Sequence, residues 1–170
     1  LLEAADLLNQ AVAHDSSFFQ AYCLLSHTHD LLYFFGFDRT PPRLALAESA
    51  IQSALRLRPD SGETHLARAE NLYRGYLDYD RALAEVELSR QTLPNDPMVF
   101  ELKGYIERRQ GKQQQALQSL ERAVDLDPRN FFTLQQIAGT YGRLRRYADE
   151  ATMLERALAV KPDDLDTKVA

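Results

Sequence analysis

A single cysteine, Cys23, stands in the whole chain, so no disulfide can form within it. A reducing compartment is therefore the easier setting. No apolar run approaches the roughly 20 residues that a membrane span needs. The opening residues, Leu1-Leu2-Glu3-Ala4-Ala5-Asp6, lack the basic start and small-residue cleavage site of a signal peptide. They also lack an initiator Met, so the chain is expected to be a piece of a longer polypeptide, with room for a targeting segment upstream. The lone cysteine's reducing setting makes a cytoplasmic location the expectation. Basic residues are in the minority: 20 Lys and Arg against 25 Asp and Glu, a formal net charge of -5. That argues against nonspecific nucleic-acid binding, which needs a basic face. The seven glycines are scattered rather than gathered into a phosphate loop. No His-Glu-x-x-His, Cys-x-x-Cys or Gly-x-Ser-x-Gly pattern occurs. The expectation is a protein that is not an enzyme and holds no cofactor or metal.

One constellation needs weighing against that expectation. Cys23, His27 and Asp30 share a helix face, at spacings of four and three. Such a trio suits a metal or a thiol paired with an imidazole. Zinc normally takes four ligands from more than one element, and no second cluster exists here. Asp30 opposes the thiolate that a nucleophilic Cys23 requires. A polar helix face with a small packed cysteine is the better reading. His14 and His65 fall in helix-packing positions and read as structural.

What the chain does contain is a period. Prolines at 59, 94, 128 and 162 follow Ala54-Leu55, Ser89, Ala123-Val124 and Ala157-Leu158, giving steps of 35, 34 and 34 residues. Six residues after the first three prolines stand His65, Phe100 and Leu134, with Tyr22 one repeat earlier, in a slot for large side chains. Four further on come Ser26, Ala69, Gly104 and Ala138, small because two helices must cross there. Ala47, Ala82, Ala116 and Glu150 open a second helix. Ile51, Val86, Leu120 and Leu154 follow on its face, then Ala54, Ser89, Ala123 and Ala157. Spacings of three, four and seven make one helical stripe. Each helix pair has an apolar face that only the next pair can bury, and proline closes each second helix. Helices are predicted at about 1–14, 18–35, 42–57, 62–75, 79–92, 97–110, 113–126, 130–144 and 147–160.

These residues resemble the tetratricopeptide repeat family, whose period is about 34, over essentially the whole chain. The resemblance implies an all-α fold: a right-handed α-solenoid of stacked antiparallel helix pairs, in a single array over 1–170. The parts are a half repeat at 1–17, a repeat at 18–60 with an insertion at about 32–42, repeats at 61–95, 96–129 and 130–163, and the start of a truncated repeat at 164–170. Three departures stand out. Arg68 and Lys103 occupy a slot that is usually Leu or Ile. One extra residue lies near Gly75. About nine lie between His29 and Ala47. Insertions of that kind look like those in repeat arrays of bacterial multidomain signalling proteins, so a bacterial parent is expected.

The resemblance also implies a function, protein–protein interaction, and a place for it. In the family a concave groove is lined by first helices at their second, fifth, ninth, twelfth and thirteenth positions. Projected here, these give Gln20, Cys23, His27, Asp30 and Leu31; Glu63, Leu66, Glu70, Tyr73 and Arg74; Met98, Glu101, Tyr105, Arg108 and Arg109; Phe132, Gln135, Gly139, Gly142 and Arg143. Arg74, Arg109 and Arg143 share the thirteenth slot, which suggests an arginine ladder for an acidic peptide or partner segment. Tyr73, Tyr105, Met98 and Phe132 would add apolar contact. Equally, Glu70 can pair with Arg74, Arg109 can lie over Tyr105, and arginine suits the last turn of any helix. Repulsion along the ladder is only about 0.4 kcal/mol at 10 Å in water, so the ladder needs no ligand. The ninth slot holds no Asn, which argues against the subtype that clamps C-terminal carboxylates.

The insertion carries Tyr33, Phe34, Phe35 and Phe37. They are expected either to dock another domain or subunit, which with the open array ends suggests a possible homodimer, or to fold back and be buried. Gly36 suits a helix C-cap, and Thr40 before Pro41 suits an N-cap.

Overall fold

The computed structural model describes residues 1–164. The remainder of the truncated repeat placed at 164–170 lies outside the described residues. The helices are α1 Leu2–His14, α2 Phe19–Phe34, α3 Pro41–Leu57, α4 Gly62–Asn71, α5 Tyr79–Thr92, α6 Pro97–Arg109, α7 Gln113–Leu126, α8 Phe131–Arg143 and α9 Tyr147–Val160, with a π-helical turn, Leu72–Tyr76, between α4 and α5. All begin and end within a few residues of the positions that the periodicity predicts.

The boundaries have local causes. Ser61, Asp78, Asp96 and Asn130 are N-caps whose side chains accept hydrogen bonds from the backbone N–H of Thr64, Arg81, Met98 and Thr133. Thr40 is an N-cap by position, with Pro41 at N1, but its hydroxyl donates to Asp38 Oδ1 at 2.6 Å and caps nothing. Every second helix ends on a residue whose φ has left the helical range: Arg58, Leu93, Asp127 and Lys161. Each precedes a proline, which disfavours helical backbone just before it. Gly36 is left-handed at φ 80°, in the helix-ending role its sequence suggests.

Two compact units form, Leu1–Pro94 and Asn95–Ala170. In the first, Ala5, Leu25, Leu32 and Ala50 make a core with Leu8, Val12 and Tyr22 against it. In the second, Leu117, Leu120, Val124, Leu134, Ile137, Tyr141 and Ala157 do the same. The crossing slot is tight where it is glycine. A Cβ on Gly104 would lie 2.7 Å from Leu120 Cγ. His14, read as a packing residue, is exposed in the last turn of α1.

The insertion at 32–42 is shared among three places. α2 has 16 residues where α6 and α8 have 13. α3 has 17 where α5, α7 and α9 have 14. The connection 35–40 replaces the shorter ones at 110–112 and 144–146. The hairpin is thus lengthened by about one turn on both arms.

The single extra residue near Gly75 becomes the π turn. In the later pairs the first helix closes with Lys112 N–H donating to Glu107 C=O and Arg146 N–H to Tyr141 C=O. The matching bond in the second pair runs from Asp78 N–H to Leu72 C=O, one residue wider. Leu77 (φ 56°) and Arg145 (φ 58°) then take the left-handed position that Gly111 takes between them. Deleting Gly75 is expected to convert the turn to ordinary α-helix and keep the protein folded. Stability should stay within about 1 kcal/mol, the scale of one net backbone hydrogen bond. Thermal unfolding followed by circular dichroism measures this, and loss of the folded state in the deletion would show that the wide turn is itself required.

Candidate functional site

The first-helix positions picked out by the sequence divide into two chemically different sets. In the first unit they turn inward. His27 Nδ1 lies 2.5 Å from Glu70 Oε2, joining the ninth slots of neighbouring first helices. Arg74 reaches the other oxygen of Glu70 at 3.4 Å. Its guanidinium also sits 5.6 Å from the Phe34 ring centre and 6.0 Å from that of Tyr73. Glu70 and Tyr73 are buried, and Arg74 is nearly so. Burial pushes the Glu70 carboxyl up, but the hydrogen bond and charge of His27 and the charge of Arg74 together outweigh it and hold it below its ordinary value. Arg74 lies inside the π turn, which carries it into this cluster. Gln20 and Glu63 remain exposed.

The Cys23–His27–Asp30 trio disperses. Burial, helped by the charge of Glu63, pushes the Cys23 thiol up to about 11, so the thiolate is scarce at neutral pH. His27 goes to Glu70, and Asp30 accepts from Asn71 Nδ2 at 2.8 Å. Sequence reasoning alone passes over Asn71. Its only signal is its place beside the extra residue.

In the second unit the corresponding face is more open. Met98 is 42% exposed and Phe132 71%. Arg108 stacks over Tyr105 with its guanidinium carbon 5.6 Å from the ring centre, the place expected for Arg109. Arg109 and Arg143 are exposed, and Arg143 Nη1 donates to Gly139 C=O at 3.0 Å. Glu101 is committed to the next helix, accepting from Asn130 Nδ2 and Thr133 Oγ1. Gln135 is half-buried, with Asp164 at 3.5 Å. A Cβ at Gly139 would meet only Arg143 Nη1, at 3.8 Å, so the ninth slot here is a notch.

Two further arrangements escape a reading of the sequence. Glu85 bridges His65 Nδ1 at 2.7 Å and Arg68 Nε at 3.2 Å, which explains how a charged side chain is tolerated in a slot usually apolar. A cavity of about 510 Å³ opens between α3, α4 and α5, lined by Glu48, Gln52, Arg68, Asn71, Tyr76 and Arg81 among others. At the insertion, Phe34 is packed between Phe35 and Tyr73 and Tyr33 is half-buried, while Phe35 and Phe37 are 61% and 70% exposed.

A family profile described as tetratricopeptide repeat matches residues 99–130, the same α6–α7 pair whose slots are set out above. Residues 99–130 thus carry a tetratricopeptide repeat. The fold of the chain is that of solved tetratricopeptide-repeat structures over nearly its whole length. A thermophilic tetratricopeptide-repeat protein of Thermus thermophilus superposes with a TM-score of 0.78 at 18% identity, over 97% of this chain and 85% of that one. YrrB, described as a tetratricopeptide-repeat protein with an unusual peptide-binding site, gives 0.64 at 18% identity, over 97% and 80%. The Cut9–Hcn1 hetero-tetramer of the APC/C gives 0.76 at 17% identity, over 97% of this chain and 31% of that one. No curated protein sequence matches this chain. Among the described residues, no helix is long and apolar enough to cross a membrane.

Proposed function

We propose that this tetratricopeptide-repeat chain is a non-catalytic interaction scaffold, and that its second unit receives an acidic partner segment on the first-helix face. The observation that carries this reading is the pairing of three arginines, Arg108, Arg109 and Arg143, with two exposed apolar side chains, Met98 and Phe132, on the same two first helices. Arginine forks favour carboxylates, and exposed apolar residues beside them supply contact area. Arg74 drops out of the ladder, because Glu70 and two rings hold it. That a fold neighbour is described as having a peptide-binding site is consistent with the class of function.

Arg109→Glu combined with Arg143→Glu is expected to weaken binding of acidic peptides at least tenfold. Two charge reversals at a recognition edge exceed the 1.4 kcal/mol that a tenfold change requires. A fluorescently labelled acidic peptide library, read by anisotropy at low and high salt, checks it; binding should also weaken with salt. Equal affinity of parent and variant for the same peptides would sink the acidic-partner reading.

A second reading rests on Phe35 and Phe37, exposed side by side at the hairpin tip. They would dock a neighbouring domain or a second copy. Light scattering that finds a dimer in the parent and a monomer after Phe35→Glu plus Phe37→Glu would favour it.

A further inference from the structure

α2 and α4 meet over two buried carboxylates that are treated very differently. Glu70 has two partners, the His27 imidazole and the Arg74 guanidinium. Asp30, on the same helix as His27, has one neutral partner: Asn71 Nδ2 donates to its Oδ1 at 2.8 Å. Its side chain is fully buried, and its Oδ2 has no hydrogen-bond partner among the described residues. Arg74 Nε is likewise buried and without a partner. The charged and titratable groups around Asp30 are His27 on α2, Glu70 on α4, and Arg74 and Tyr76 on the π turn. Glu70 repels a charge at Asp30. Arg74 and His27 attract one but are already engaged with Glu70.

A carboxyl in that position is costly as an anion and inexpensive as an acid. We propose that Asp30 is a proton-operated latch between α2 and the α4–π segment, closed when its carboxyl is neutral and strained when it ionises. Burial, opposed by the Asn71 hydrogen bond and reinforced by Glu70, pushes the carboxyl up to about 7. The changeover therefore falls within the range that cells experience. Once ionised, Oδ2 needs a donor; Ser26 Oγ, four residues before Asp30 on α2, and Arg74 Nε are both buried and unused among the described residues, and of the two only Arg74 brings a charge. Turning toward Arg74 draws the guanidinium off Glu70 and off the rings of Phe34 and Tyr73. The latch thus couples protonation to the geometry of the π turn, with no ligand required.

The sign follows from linkage. The unfolded carboxyl releases its proton near 3.8 and the folded one near 7. Stability from this group is full below about pH 4, falls as pH rises through 7, and is level above about 8. The folded-to-unfolded ratio is expected to drop by up to about a thousandfold across that interval.

Asp30→Asn keeps the shape and the acceptor for Asn71 but cannot ionise. Urea denaturation of parent and variant from pH 4.5 to 8.5 should show the parent losing stability relative to the variant as pH rises. Parallel pH profiles would overturn the latch. The carboxyl carbon of Asp30, followed by 13C NMR in the parent, gives a second reading that does not depend on the variant folding. A midpoint between about 6 and 8 supports the proposal, and one below 5 overturns it.

Discussion

Replacing Leu120 with alanine is expected to destabilise the second unit by about 3 kcal/mol, within the range for emptied core positions. Leu120 is fully buried, in the cluster with Leu117, Leu134 and Ile137. It also covers Gly104, whose missing side chain lets the two helices approach. The facing residue, Gly104, has no side chain to move into the space. Denaturant unfolding read separately for each unit measures the loss, since an array of repeats need not unfold in one step. Leu154 occupies the same slot in the last pair but is half-buried, so Leu154→Ala should cost distinctly less. A change below 1 kcal/mol at Leu120 would mean that the crossing is not as close as described.

Gly62→Ala should be nearly as damaging in the first unit, at about 2–3 kcal/mol, the upper part of the range for overfilled cores. An added Cβ would stand 2.5 Å from Thr92 Oγ1, 2.6 Å from Leu93 Cγ and 2.7 Å from the Ser89 carbonyl oxygen. A side-chain tip can turn aside, but a carbonyl near the end of α5 cannot without moving the helix. The gain in helix propensity from alanine offsets little at a first helical position, where the backbone N–H has no helical partner in any case. Gly111→Ala is the informative contrast. It has open space around it but φ +79°, so it should lose only about 1 kcal/mol of left-handed strain. Equal losses at the two glycines, in melting temperatures of the purified variants, would refute the steric account of Gly62.

The helix order and boundaries are legible because four prolines, a small slot and an apolar stripe recur in register. Each of them acts locally, so spacing alone locates it. The fate of individual polar side chains is less legible. Arg74, Arg109 and Arg143 look identical in the repeat register, yet Arg74 is turned inward by a π turn that appears in the sequence only as a step of 35 instead of 34. Glu70 and His27 read as groove wall, and they face each other instead because neighbouring first helices bring their ninth slots together. Asn71 is marked only by its place beside the extra residue, because its importance comes from Asp30, 41 positions away. Sequence leaves the phenylalanines of the insertion open between burial and exposure, and the structure divides them, since a helix end packs one ring while its loop cannot cover the rest.

The π turn has a consequence for how such a chain changes over generations. One residue added to a regular α-helix rotates everything beyond it by about 100°, because 3.6 residues make a turn. An array built on stripes should be intolerant of such an accident. Here the surplus is taken up within one loosened coil just before a left-handed residue, and α5 buries Ala82, Val86 and Ser89, the same stripe that α7 buries at Ala116, Leu120 and Ala123. The ends of first helices are therefore seams where a codon can be gained or lost without scrambling the next element. Variation in length among related arrays should collect at these seams, and the stripes between them should keep strict count.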